Sequence, residues 1–112
     1  MVAALVDQLY GIMLLVSLAC GLAALAVALL GRVQAGPAPR SSRWVAPAAV
    51  GAWIALLVSI TVHFAWGHAP GSPQALPPLE FLRQHPSFIV AGLIPVVALI
   101  ARPKGARESS TP

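Results

Sequence analysis

The stretch WVAPAAVGAWIALLVSITVHFAW, residues 44–66, decides the fold class. It contains no Asp, Glu, Lys or Arg. A helix of this length, rising 1.5 Å per residue, reaches about 34 Å and exceeds the roughly 30 Å hydrocarbon core of a bilayer. Trp44 and Trp66 stand at its two ends, and indole rings favour the membrane–water interface. The stretch therefore predicts a transmembrane helix with these two residues as interface anchors.

The composition of the whole chain points to the same class. The 112 residues are 58% hydrophobic and only 9% charged, whereas a soluble domain carries about 25% charged residues. A water-soluble fold of this size would have too few charges to cover its surface, so we predict an integral protein of the lipid bilayer. The net charge of +4 does not indicate nucleic acid, because the basic residues form no stripe interleaved with aromatic residues.

Two further apolar segments flank the central one and predict an all-α protein with three transmembrane helices. The first runs over residues 9–30 without a charge. The last, residues 87–101, is short at about 22 Å and contains Pro95, which is expected to kink it. It either spans or forms a re-entrant hairpin, and we favour spanning because a basic tail follows. Residues 79–84 lie between prolines and suggest a short interfacial helix, with a plain loop as the alternative.

The basic residues predict the orientation. Short loops rich in Lys and Arg stay in the cytoplasm, and an odd number of spans places the first loop and the tail on the same side. We therefore expect the N-terminus outside and the C-terminus in the cytoplasm, most simply in a bacterial inner (plasma) membrane. Residues 1–102 are expected to form one membrane domain, and residues 103–112 a disordered tail. The residues that carry this topology signal are Arg32, Arg40, Arg43, Arg102, Lys104 and Arg107.

Three histidines fall toward the outer face in this topology: His63, His68 and His85. Imidazole binds copper, zinc and haem iron, and an ionisable group within a membrane indicates a functional site. A metal or haem site is therefore a hypothesis for this face. Against it, His63 and His68 are five residues apart, about 140° around a continuous helix at 3.6 residues per turn. The alternative is that His63 bonds a neighbouring helix while the other two sit among lipid headgroups.

Small residues recur every four positions on two of the predicted helices. Such faces allow close packing of another helix. We expect these faces to pack the helices of the bundle against one another. A part of a face that is not used inside the bundle would bind a membrane-protein partner or a second copy of the chain. The lone cysteine is expected to be a small packed residue. The predicted packing positions are Gly51, Ala55, Ser59 and His63 on the second helix and Cys20, Ala24 and Ala28 on the first.

These features favour a non-catalytic accessory or assembly subunit of a larger membrane complex. The alternatives are an outer-face metal or haem binder for electron transfer or metal delivery, with haem or copper as the cofactor, and a holin-like or small transport component. The chain resembles phage holins only in its short length, its three predicted spans and its basic tail. We do not predict an enzyme, because no nucleophile–base pair is visible and the Ser59 hydroxyl is expected to bond its own helix. Ser41 or Ser42 is expected to cap the second helix.

Overall fold

Most of the chain that the structure describes is helical. The computed structural model describes residues 2–33, 40–68, 71, 73 and 75–103. No strand occurs among these residues, and the prediction of an all-helical chain is confirmed. The helices are α1 (Val2–Val33), a short 3₁₀ helix (Arg40–Trp44), α2 (Val45–Gly67), α3 (Pro78–Gln84) and α4 (Pro86–Ala101).

Two helices are long and apolar enough to cross a membrane. They contain the segments Ala4–Val33 and Ser42–Gly67. Helices α3 and α4 meet at 88° and make a third candidate if the bent pair counts as one span. Two or three helices of this length and composition are compatible with the predicted membrane protein. Helix α1 starts well before the predicted residue 9, because nothing in the preceding residues breaks a helix and Asp7 is exposed there.

The chain bends at His85, between α3 and α4. Helix α4 instead continues through Pro95 to Ala101, although the sequence favoured Pro95 as the site of a kink. Proline disfavours the helical conformation of the residue before it, and His85, which precedes Pro86, adopts φ −124° and ψ 71°. One helix therefore ends and the next begins at His85.

Helix α2 runs antiparallel to both α1 and α4. The Ser17 hydroxyl donates to the Ala52 carbonyl oxygen at 2.7 Å, and the Ser59 hydroxyl donates to that of Tyr10 at 3.0 Å. The prediction that Ser59 would bond its own helix is wrong, because the close approach of α1 supplies a better-placed carbonyl. The Trp53 indole N–H donates to the Gly92 carbonyl oxygen at 3.1 Å and ties α2 to α4.

Helix α1 presents one continuous packing seam to the other two long helices. The seam positions alternate at spacings of four and three residues, the pattern of left-handed helix packing. At Gly21 the neighbouring helix comes so close that a Cβ would lie 3.1 Å from Cγ2 of Ile94. Every seam position is buried or half-buried: Tyr10, Leu14, Ser17, Gly21, Ala24, Ala28 and Gly31.

The predicted packing positions are divided between the inside and the edge of the bundle. Ala24, Ala28, Ala55 and Ser59 are buried between helices. Cys20 is half-buried, beside the seam. Gly51 is also half-buried, and a Cβ there would meet no atom within 4 Å. Most of the small residues are therefore used within the chain itself.

The start of α2 differs from the prediction of a serine cap. Trp44 occupies the N-cap position without a side-chain cap bond, and the buried Ser42 hydroxyl has no hydrogen-bond partner among the described residues. A capping side chain bonds the N–H of the second or third helical residue, and the third residue of α2 is Pro47, which has no N–H. The preceding 3₁₀ helix makes the entry into α2 instead.

The two tryptophans predicted as interface anchors lie at opposite ends of the bundle, and the described arginines of the topology signal lie at one of these ends. Trp44 and Trp66 are 60% and 62% exposed at opposite ends of α2. One end of the bundle contains the last turns of α1 and α4 and the 3₁₀ helix, and we call it the arginine end. Arg32, Arg40 and Arg43 are exposed there, and Arg102 is half-buried. Pro103 is buried there and packs against Gly31. Lys104, Arg107 and the rest of the predicted tail lie outside the described residues.

Candidate metal centre

The opposite end of the bundle, which we call the histidine end, holds all three histidines. His63 lies in the last turns of α2. Its imidazole packs over Gly67, where a Cβ would approach the ring's Cε1 atom to 3.4 Å. From α1, the Tyr10 ring stacks on it with centroids 4.2 Å apart and an interplanar angle of 20°. The ring of His63 is thus held between its own helix and α1, on the inside of the bundle.

His68 follows the end of α2 directly. Gly67 is the last helical residue, and the N–H of His68 donates to the Phe64 carbonyl oxygen at 3.1 Å. With φ −135° and ψ 32°, His68 has left the helical path. Its ring turns back toward His63, and the two ring centroids are 5.1 Å apart.

His85 is positioned by the break between α3 and α4. Pro86 disfavours the helical conformation of His85, and the last carbonyls of α3 have no helical partners. The His85 side chain bonds one of these carbonyl groups, because its Nδ1 donates to the Phe81 carbonyl oxygen at 2.8 Å. This bond assigns the proton to Nδ1 and leaves the lone pair of Nε2 facing His63, whose own Nε2 lies 3.1 Å away.

The three imidazoles form a compact triangle. Their ring centroids are 4.9 to 5.3 Å apart, and one ligand nitrogen from each ring lies within 4.8 Å of the other two. Two nitrogens bound to one tetrahedral zinc ion at 2.0–2.1 Å would be separated by about 3.3 Å. The 3.1 Å between Nε2 of His63 and Nε2 of His85 is close to that spacing.

An aromatic wall supports the triangle from the inside. The Phe81 ring is 1% exposed and lies 4.6 Å from the His85 ring, 5.4 Å from the His68 ring and 5.7 Å from the His63 ring. Phe88 is buried behind it, 5.6 Å away. Packing of this kind restricts the rotamers of the ligands and so prepares them for binding.

The donor set selects the kind of ion. Three neutral imidazoles suit zinc, copper, nickel and iron, whereas calcium and magnesium prefer oxygen ligands. Three protein ligands leave a fourth position for water or an exchangeable ligand, as in catalytic zinc sites and unlike closed structural ones. The carboxylate of Glu80 on α3 belongs to a different contact, a 3.8 Å ion pair with Arg83, and is not among the clustered ligand atoms.

The 140° separation of His63 and His68 applies only to a continuous helix, and α2 ends at Gly67 between the two residues. The structure brings their rings to 5.1 Å. The grouping of all three histidines at one end followed from the topology, but their convergence depends on the two helix ends at Gly67 and His85. Tyr10 and Phe81 were missed as site residues, although the His-Pro pair at 85–86 signals a chain bend that exposes the Phe81 carbonyl to His85.

Comparisons with protein-family models, with curated proteins and with solved structures find no match to this chain. The proposals below therefore rest on the geometry of the described residues.

Proposed function

We propose that this protein binds one transition-metal ion through His63, His68 and His85 at the surface of a membrane. The observation that carries the proposal is the convergence of one nitrogen from each imidazole within 4.8 Å. The orienting bond from His85 to the Phe81 carbonyl oxygen adds to it, because metal-binding histidines regularly donate their other ring N–H to such a partner.

The proposed binding reaction requires a change of tautomer at His63. The 3.1 Å contact between the Nε2 atoms of His63 and His85 requires one hydrogen between them, and His85 already uses its own at Nδ1. His63 Nε2 is therefore the donor in the metal-free protein. An ion bound by both Nε2 atoms would require the hydrogen of His63 to move to its Nδ1, so that each neutral imidazole offers an Nε2 lone pair. Binding would weaken as the pH falls, because protons compete for these nitrogens.

The site faces the outside of the cell in this proposal. The exposed arginines at the other end of the bundle support a cytoplasmic location for that end by the positive-inside rule. Helix α4 has 16 residues, about 24 Å, and crosses a locally thinned bilayer, while α3 lies in the interface. The N-terminus is then outside and the C-terminus inside, and a bacterial inner membrane is the simplest setting.

A role in metal delivery fits the site better than electron transfer through haem. The His63 and His85 rings meet edge to face with their Nε2 atoms 3.1 Å apart, so a porphyrin cannot lie between them. An open fourth position allows a donor or acceptor molecule to exchange the ion. The accessory-subunit and holin-like hypotheses stay predictions. The accessory-subunit hypothesis was based on faces of small residues that could take a partner, and burial of most of these residues inside the bundle leaves less of such a face exposed.

Metal titration of the purified protein tests this function. Detergent-solubilised protein is stripped with chelator and titrated with Zn²⁺, and separately with Cu⁺ under reducing conditions, and bound metal is measured by equilibrium dialysis. We expect about one tightly bound ion per chain, because the structure brings together one set of three ligands. A variant with all three histidines changed to alanine is the control and should bind none. Equal binding by the two proteins would contradict the proposal.

A further inference from the structure

We propose that the arginine end binds a phosphate group through Ser42 and Arg102, and that the headgroup of an anionic phospholipid supplies it. This site lies at the opposite end of the bundle from the histidines and does not depend on the proposed metal site. Two buried polar atoms carry the inference. The Ser42 hydroxyl and Nε of Arg102 have no hydrogen-bond partner among the described residues. Both groups can donate, and phosphate oxygens are strong acceptors.

Three segments of the chain meet where these donors lie. Ser42 belongs to the 3₁₀ helix before α2, and Arg102 follows the last residue of α4. A Cβ at Gly31 of α1 would lie 2.8 Å from the Ser42 hydroxyl oxygen and also 2.8 Å from Cγ of Pro103, the residue after Arg102. The segments that carry the two donors therefore come together against the glycine of α1. Ser42 is only 3% exposed.

The burial of both donors indicates a ligand. Buried N–H and hydroxyl groups in folded proteins nearly always have a hydrogen-bond partner, because an unpaired group loses its hydration without compensation. The guanidinium of Arg102 is always charged. The described acids, Asp7 and Glu80, lie on α1 near Tyr10 and on α3, both at the histidine end. No described carboxylate can therefore neutralise Arg102, and a phosphate group would do so.

The surroundings favour a lipid as the source of the phosphate. Three further arginines are exposed at this end, and a cluster of positive charge attracts anionic lipids. The guanidinium carbon of Arg43 lies 5.6 Å from the centre of the Trp44 ring, and exposed indole rings lie at the level of the headgroups. A phosphate bound beside Trp44 would leave the acyl chains of its lipid along the apolar helices. The exposed arginines are Arg32, Arg40 and Arg43.

Lipid titration of the full chain in a non-ionic detergent, with no metal added, tests the site. Native mass spectrometry counts bound phosphatidylglycerol, and zwitterionic phosphatidylcholine is the comparison. Equilibrium dialysis measures binding of inorganic phosphate. We expect one phosphatidylglycerol per chain, bound about tenfold more tightly than phosphatidylcholine. Arg102→Gln should weaken this binding about tenfold or more, because it removes a hydrogen bond between charged groups.

Matched variants separate a specific site from general attraction of charge. Arg83→Gln removes the same charge from an arginine whose side chain is 81% exposed on α3, and it should bind as the wild type does. Arg102→Lys keeps the charge but loses the Nε donor, so it should restore only part of the affinity. Ser42→Ala should weaken binding about tenfold. The same variant should leave the lipid-free protein at least as stable in denaturant, because it removes an unpaired buried hydroxyl.

Each outcome supports or overturns the site. Weaker phosphatidylglycerol binding in Arg102→Gln and Ser42→Ala, but not in Arg83→Gln, supports it. Tight binding of inorganic phosphate that depends on the same two residues supports the site with free phosphate as its ligand. Equal losses in Arg102→Gln and Arg83→Gln overturn it, as does full affinity in Ser42→Ala. Absence of any preference for phosphatidylglycerol or phosphate in the wild type also overturns it. If Arg102→Gln does not fold, Ser42→Ala decides.

Discussion

Replacing His85 with alanine should weaken Zn²⁺ binding by more than about a hundredfold, because loss of a direct ligand exceeds the 10–100-fold cost of losing an outer partner. The substitution removes the Nε2 that lies 3.1 Å from that of His63. It also removes the bond from Nδ1 to the Phe81 carbonyl oxygen. Equilibrium dialysis against a competing chelator of known affinity measures the effect.

The neighbouring Gln84 provides the control for His85. It is exposed, and its side-chain amide contacts Glu80 at 3.4 Å instead of the histidine cluster. Gln84→Ala should therefore retain the wild-type affinity. If His85→Ala also retained it within about threefold, a difference of less than 1 kcal/mol, His85 would not be a ligand and the assignment of three ligands would be wrong.

Replacing Phe81 with alanine should lower the free energy of unfolding by about 3 kcal/mol or more, the usual cost of deleting a buried phenylalanine ring. Phe81 is 1% exposed, and its ring joins Phe64 of α2, 5.2 Å away, to the histidine cluster. No other side chain of this short helix is buried, so its packing depends mainly on Phe81. Denaturant titration followed by Trp fluorescence measures the loss.

Phe81→Ala should also weaken metal binding about tenfold, as removal of a support behind metal ligands does. The carbonyl that orients His85 stays in place, so the loss reports the packing of the ring alone. Leu79→Ala is the matched control, because Leu79 lies on the same helix and is 81% exposed. We expect that control to change neither quantity. Unchanged unfolding in Phe81→Ala would contradict the packing of α3 against α2.

The sequence was sufficient to predict the helices, because uninterrupted apolar runs leave a chain in a bilayer no other way to satisfy its backbone. Helix α2 covers Val45–Gly67, within one residue of the predicted 44–66, since the tryptophans and the glycine mark both of its ends. The extent of α1 was underestimated because absence of charge was used as its boundary. A helix continues past a charged residue such as Asp7 when that residue is exposed.

The candidate site was only partly visible in the sequence. Topology brings the three histidines to one end, but it does not determine where a side chain points. That depends on local breaks: Gly67 ends α2 before His68, and Pro86 turns the chain at His85. The bond from Ser59 to the Tyr10 carbonyl oxygen likewise depends on how closely α1 approaches α2, which no pattern within a single helix reveals.

The proposed ion would also act as a connection between segments that are far apart in the chain. His63 belongs to α2, His68 to the chain that leaves it, and His85 to the junction of α3 and α4. Anything that binds only the folded arrangement stabilises it by mass action. The metal-bound protein should therefore keep α3 beside α2 more firmly than the metal-free protein does.

X-ray absorption spectroscopy of the Zn²⁺-loaded protein tests the central claim most directly, because it counts and identifies the atoms bound to the metal. The account predicts three imidazole nitrogens at 2.0–2.1 Å and one further light ligand in a tetrahedral site. The imidazole signature should disappear in the variant that lacks the three histidines. A zinc environment with one imidazole or none in the wild-type protein, or with sulfur at about 2.3 Å, would contradict the account.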